Sequence, residues 1–132
     1  MALSLEERRK IDKHQGKLVE SAEEIVRNAN EIWNKLDRSQ FQNVAGVATS
    51  AECVPVVTNF IKYQIGRKKS WSHQNFGMNI IEQMENLEAK AKSVAGNKAS
   101  EDKVDEIWIE LCRSFWGYVI RYTKFRGKGG QD

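Results

Sequence analysis

The amino-acid sequence predicts an all-α protein, a compact bundle of about five helices in a single domain over residues 1–132. Apolar residues recur at spacings of three and four along most of the chain, which is the period of a helix with one buried face. No stretch alternates apolar and polar residues between turn signals, as a half-buried strand would. The 132 residues include one proline, so little interrupts long helices. A chain of this length can bury one hydrophobic core.

The first helix is expected to begin at Ser4, because Ser4 and Glu7 have the spacing of a capping box. Gly16 is expected to weaken or bend this helix without ending it. One apolar face then continues at helical spacing. Its members are Leu18, Ala22, Ile25, Ala29, Ile32 and Leu36.

Three further segments follow in the middle of the chain. A short second helix is expected over about residues 37–49, and a third over 55–65, since a proline is tolerated in the first turn of a helix. Gly66 stands where a glycine commonly ends a helix. Residues 67–77 mix basic, aromatic and glycine residues and predict a surface loop. A fourth helix is expected over about 78–95.

The last helix is expected over about residues 101–125. Ser100 is a good N-cap, and the acids at 101 and 102 suit the positive end of the helix dipole. Placing residues about 100° apart gives one broad apolar stripe, which we interpret as the core face. The stripe contains Val104, Ile107, Leu111, Phe115, Tyr118 and Tyr122.

Other residues of this helix lie outside the core stripe. A basic strip on the opposite side contains Arg113, Gly117, Arg121 and Lys124. Three apolar residues flank it, namely Ile109, Trp116 and Ile120. A helix that is apolar beyond its core stripe is either deeply buried or in contact with another chain. Because a basic strip does not suit a deeply buried helix, we predict a protein interface at these three residues. The approach of a partner backbone would explain a glycine at 117.

The distribution of charge makes nucleic acid a candidate partner and leaves an ordinary solvated surface as the alternative. Residues 1–66 carry nine basic and nine acidic side chains, so the net charge of +3 comes entirely from residues 67–132. Clustered cations suit a phosphate backbone, although such clusters also occur on ordinary solvated surfaces. The candidate RNA-binding residues are Lys62, Arg67, Lys68, Lys69, Arg113, Arg121, Lys124, Arg126 and Lys128.

Aromatic residues near the first basic cluster, which consists of Arg67, Lys68 and Lys69, leave two interpretations open. Trp71 and Phe76 are interleaved with the basic residues, so they either stack on unpaired bases or cover the core. Arg67 lies four residues after Tyr63, where a cation–π contact is the alternative to a phosphate contact.

Catalytic and metal-binding patterns are not evident in the sequence, and we expect a protein that is not an enzyme and has no cofactor or metal. His14 and His73 have no carboxylate or cysteine at a suggestive spacing. The aligned acids Glu82, Glu85 and Glu88 are expected to form a solvated helix flank, because no Glu-x-x-His pair accompanies them.

The cysteines and the hydropathy pattern predict a cytoplasmic protein that does not enter a membrane. Cys53 and Cys112 lie far apart within apolar helical patterns, and we expect two buried reduced thiols, with a disulfide as the alternative. No apolar run approaches the ~20 residues of a membrane span. The first ten residues lack the apolar core of a secretory signal.

Three segments of the chain together resemble a known family. They are RSQFQNVAGVA at residues 38–48, FIKYQIGR at 60–67 and GYVIRYTKFRGKGG at 117–130. In this order and with these separations they resemble the small subunit of the type III-A (Csm) CRISPR effector complex. The resemblance covers about residues 38–128. Members often have a basic residue just after the Ser-Gln-apolar triplet, where this chain has Gln42 and Asn43, so we assign no RNA contact to that helix.

The resemblance implies a function as well as a fold. It implies a helical subunit without nuclease activity that occurs in several copies beside the backbone subunits and the large subunit. It also implies that the subunit stabilises the duplex of guide RNA and target RNA through backbone contacts that do not read sequence. Two alternatives remain, the small subunit of the type III-B complex and a helical adaptor that binds only proteins.

Overall fold

The helices of the computed structural model, which describes residues 3–129, confirm the all-α prediction and the compact bundle. This part of the chain has seven α-helices, where about five were expected, and one 3-10 segment at Lys69–Asn75. The helices are α1 (Leu5–Lys13), α2 (Gln15–Asn28), α3 (Ile32–Lys35), α4 (Arg38–Ser50), α5 (Val54–Arg67), α6 (Phe76–Ala95) and α7 (Glu101–Gly129).

The expected first helix is three helices in the structure. The first break falls at His14, and Gly16 lies within the first turn of α2. The second break falls before α3, where Glu31 adopts a left-handed φ of 64°. Ala29 and Ile32 on either side of that turn are both fully buried. Periodicity did not reveal the breaks because the turns keep the apolar residues facing one core.

Several capping signals in the sequence are confirmed. The Ser4 hydroxyl accepts a hydrogen bond from the Glu7 amide at 3.0 Å, and the Glu7 carboxylate accepts one from the Ser4 amide at 2.8 Å. The Ser100 hydroxyl accepts from the amide of Lys103 at 3.2 Å at the start of α7. The Lys103 ammonium in turn lies 3.3 Å from the Glu7 carboxylate, which ties α1 to α7.

The segment at 67–77 is not a surface loop. Arg67 belongs to α5, and the 3-10 segment that follows brings the Trp71 side chain to 0% exposure. Phe76 is also fully buried, at the start of α6. The core-covering interpretation of both aromatic residues is therefore confirmed, and neither is available to stack on a base. Between these two aromatic residues, Gln74 and Asn75 adopt left-handed backbones, with φ of 50° and 60°.

Helix α7 is the centre of the bundle, which overturns one prediction. It contacts α2, α3, α4, α5 and α6. Ile109 and Trp116 are 3% and 1% exposed, and the Trp116 indole donates to the carbonyl oxygen of Phe41 at 3.0 Å. The expectation that these two side chains form an exposed interface is wrong, because helices of the same chain cover them. A Cβ atom on Gly117 would meet nothing within 4 Å, so no backbone of the described chain closely approaches it.

Candidate nucleic-acid interface

The direction of the helices brings the basic residues after α5 close to the basic residues near the end of α7. The start of α4 lies beside the last turns of α7, where Arg38 and Lys124 line the same groove. The end of α4 lies beside Arg113, which hydrogen-bonds to Ala48. Helix α4 is therefore antiparallel to α7.

Helix α5 returns beside α4 after a short turn and ends near the start of α4. Hydrogen bonds from the Ser39 hydroxyl and the Gln40 amide, together with the nearby charge of Lys68, hold the pKa of Asp37 below its ordinary value. The 3-10 segment Lys69–Asn75 contacts α3, and Trp33 of α3 lies beside Arg126 and Gly127, so the cluster after α5 lies at the same end of the bundle as the last turns of α7. We call this region the basic end. It comprises Arg38, Arg67, Lys68, Lys69, Arg121, Lys124 and Arg126.

The first predicted cluster is exposed to solvent. Lys62, Lys68 and Lys69 are all exposed, Lys62 on α5 and the other two just after it. Arg67 is also exposed, and its guanidinium carbon lies 5.8 Å from the centre of the Tyr63 ring. The cation–π contact, one of the two interpretations left open for Arg67, is thus present, and the side chain stays exposed to solvent.

Arg113 differs from the exposed candidate cations because its guanidinium is engaged in contacts within the chain. Its Nε donates to the Ala48 carbonyl at 2.7 Å, and its Nη2 donates to the carbonyls of Thr49 at 3.2 Å and Ala51 at 2.9 Å. Its Nη1 lies 2.6 Å from the Glu110 carboxylate. Placing Arg113 on a free basic strip was wrong, because its guanidinium satisfies the carbonyl groups that the end of α4 leaves unpaired.

The cations near the end of α7 differ in how they are held. Arg121 and Lys124 are exposed, and the Arg121 guanidinium carbon lies 5.4 Å from the Tyr118 ring centre. Arg126 is half-buried, with its guanidinium carbon 4.9 Å from the Trp33 ring centre. The predicted contact at Lys128 concerns a side chain outside those that the structure describes.

A groove of about 500 Å³ lies between α3, α4 and the last turns of α7. Its apolar lining includes the last of the predicted interface residues, Ile120, which is partly exposed. The lining comprises Trp33, Leu36, Arg38, Phe41, Gln42, Ile120, Arg121, Thr123, Lys124 and Gly127. No acidic residue is among them.

Sequence reasoning missed Trp33 and Arg38, and it assigned no RNA contact to the helix that carries Arg38 and Gln42. Arg38 is the first residue of a segment that carries the family resemblance, and this was the one available signal. Trp33 gave no signal, because its place beside Arg126 and Gly127 depends on how α3 packs against α7.

Acidic and basic residues are separated along α7. Its first ten residues contain five acids and a single cation, Lys103. Residues 111–129 contain five cations and no acid. This order stabilises the helix, because acids near the amino end and bases near the carboxyl end oppose its dipole. It also leaves the last turns of α7 strongly positive.

The remaining reactive side chains do not assemble at the groove. Burial and the charges of Lys90 and Lys17 lower the pKa of His14, while His73 lies 2.6 Å from the Asn30 carbonyl oxygen. Burial raises the pKa of the Cys112 thiol, which therefore stays protonated. Cys53, expected to be buried, is partly exposed, and both cysteines are free.

Two further findings concern metals and membranes. Within residues 3–129, no three histidine, cysteine, aspartate or glutamate side chains converge as metal ligands would. In the same part of the chain no helix combines the length and the apolar character that a membrane span requires.

The chain shows no significant match to a protein-family model, a curated protein or a solved structure.

Proposed function

We propose that this protein is a non-catalytic small subunit of a type III-A CRISPR effector complex that contacts RNA through its basic end. In this proposal the subunit stabilises the guide–target duplex without reading its sequence, and it packs beside the backbone and large subunits, in several copies. One observation carries the RNA contact. Cations from two helices that are distant in sequence, Arg38 on α4 and Arg121 and Lys124 on α7, line one groove that has no acidic residue in its lining.

The electrostatics of this end support a phosphate ligand. Lys68, Arg121 and Lys124 are exposed, and no ion pair within the part of the chain that the structure describes occupies them. Each cation that meets a phosphate releases condensed counterions, so several such contacts give salt-dependent binding without base recognition. The resemblance of residues 38–128 to the Csm small subunit supplies the kind of complex in which this surface would act.

A double charge reversal tests the RNA contact. We expect Arg121→Glu with Lys124→Glu to lower affinity for a short RNA duplex by about tenfold or more at moderate salt. Both side chains lie on the surface, so circular dichroism should show an intact helical fold. The matched control is Lys92→Glu with Lys98→Glu, two exposed lysines near the amino end of α7. Equal losses in the two double variants, or no loss in either, would overturn the contact.

Membership of the complex is tested separately by reconstitution. The chain should co-elute with the backbone and large subunits of the type III-A complex encoded beside it, when guide RNA is present. Co-elution only with type III-B subunits would assign it to that complex.

A protein-only adaptor is a second candidate, which the apolar groove floor favours. Ile120 and Phe41 line this floor, and apolar side chains of this kind also suit a protein partner. Replacing Ile120 with aspartate distinguishes the candidates. If the protein is an adaptor, we expect Ile120→Asp to abolish assembly with the protein partner. We also expect the isolated wild-type chain to show no affinity for RNA.

A further inference from the structure

Trp33 differs from the other tryptophans of the chain. Trp71, Trp108 and Trp116 are at most 8% exposed, whereas Trp33 is partly exposed and lines the groove. A partly exposed indole offers an apolar, polarisable face to a ligand that enters the groove.

The orientation of the Trp33 ring is fixed from one side. The Arg126 guanidinium carbon lies 4.9 Å from the ring centre. The α7 backbone also passes close by, since a Cβ atom placed on Gly127 would lie 3.6 Å from the Trp33 Cβ. A ring held in this way loses little conformational freedom when a flat ligand packs on it.

The rest of the groove matches the two parts of a nucleotide. Arg38, Arg121 and Lys124 are exposed and line the groove, which contains no carboxylate to compete with a phosphate. Ile120, which is partly exposed, supplies apolar surface for a base, whereas Phe41 is only 4% exposed and adds little. The Gln42 amide adds one donor group and one acceptor that a base edge can use. A volume of about 500 Å³ lies within the range of small-ligand sites.

A base inside a continuous duplex cannot use this groove, because its faces are already stacked on its neighbours. An unpaired base can stack on an aromatic ring while cations hold its phosphate. We propose that the groove binds a single unpaired nucleotide, with its base on Trp33 and its phosphate between Arg38, Arg121 and Lys124. This rests on the proposed RNA function and adds a contact that duplex binding alone does not need.

The fluorescence of the chain provides the test. Since the other three tryptophans are buried, stacking of a base should quench mainly Trp33. The probes are a single-stranded RNA of about ten nucleotides and an abasic strand with the same number of phosphates. We expect the strand with bases to quench fluorescence and to bind about tenfold more tightly than the abasic strand.

A pair of variants locates the effect in the groove. Trp33→Leu should abolish the quenching and lower the affinity for the base-containing strand to that for the abasic strand, while affinity for a blunt duplex stays unchanged. The control Tyr63→Leu removes a 58% exposed aromatic ring on α5 and should leave the preference for bases intact.

The outcomes separate this inference from the function on which it rests. Equal affinity for the two strands, or quenching that survives in Trp33→Leu, would overturn the nucleotide site while leaving backbone binding in place. If no RNA probe binds the wild-type chain, both the nucleotide site and the proposed function are overturned.

Discussion

The guanidinium of Arg113, on α7, donates a hydrogen bond of 2.7 Å to the carbonyl oxygen of Ala48, near the end of α4. Two further bonds from the same side chain reach the carbonyls of Thr49 and Ala51. Since a helix end leaves its last carbonyls without partners, this one side chain caps α4 and joins it to the central helix. Its planar fork can reach all three acceptors together, which an ammonium group cannot do in the same geometry.

We expect Arg113→Lys to lower the free energy of unfolding by about 1–3 kcal/mol, because it loses charged hydrogen bonds to partly buried carbonyls. Urea denaturation followed by circular dichroism measures the change. Arg121→Lys is the control, since Arg121 is exposed and should tolerate the exchange. Equal stability of the two variants would contradict the capping role.

Two glycines in helices are expected to respond in opposite directions to alanine. Gly117→Ala should raise the free energy of unfolding by about 0.5–1 kcal/mol, because a Cβ atom there meets nothing within 4 Å and alanine favours the helix. Gly77→Ala should lower it, because the new Cβ atom would lie 2.6 Å from Ile65 Cγ1 and 3.0 Å from the Trp71 carbonyl oxygen. Thermal unfolding of both variants measures this. If both variants are more stable than the wild type, Ile65 and Trp71 move away from the new Cβ atom at position 77 at little cost in free energy.

The salt dependence of RNA binding should depend on which lysine is changed. Lys68→Gln removes an exposed charge from the basic end and should reduce the slope of log affinity against log salt by about one. Lys98→Gln makes the same change of charge just before α7 and should leave the slope unaltered. Binding titrations between low and moderate salt measure both slopes. Identical slopes would mean that net charge matters and the location of the charge does not.

The N-cap of α4 should contribute a pH-dependent part of the stability. The pKa of Asp37 is lowered in the folded chain by the Ser39 hydroxyl, the Gln40 amide and Lys68. Its stabilisation is therefore fully present above the unfolded pKa of about 3.9 and is lost as pH falls through the lower folded value. We expect wild type to exceed Asp37→Asn in melting temperature at pH 7 and this difference to shrink below about pH 4. A difference independent of pH would contradict the ionised cap.

Local signals in the sequence predicted much of the fold. The capping box at Ser4 and Glu7 and the N-cap at Ser100 depend on residues three apart, and the structure contains both. The number of neighbours around α7 is a tertiary property. Periodicity identified its core stripe but not the helices that cover Trp116 and Ile109 on other sides.

The candidate site was predictable only in part for the same reason. The exposed cations after α5 and near the end of α7 were recognisable as clusters, yet their common location follows from helix directions that sequence spacing does not encode. Arg113 was misplaced because its carbonyl partners lie more than sixty residues earlier in the chain. Trp33 and Arg38 were missed because the groove exists only after α3 and α4 pack against α7.

The separation of acids and bases along α7 bears on how the molecule meets a polyanion before any contact forms. A field from one side exerts a torque on such an uneven charge distribution and turns the molecule so that its positive pole leads. A larger fraction of diffusive encounters would then begin in a productive orientation, even though the net charge is only +3. Added salt would screen this pre-orientation and slow association more than it speeds dissociation.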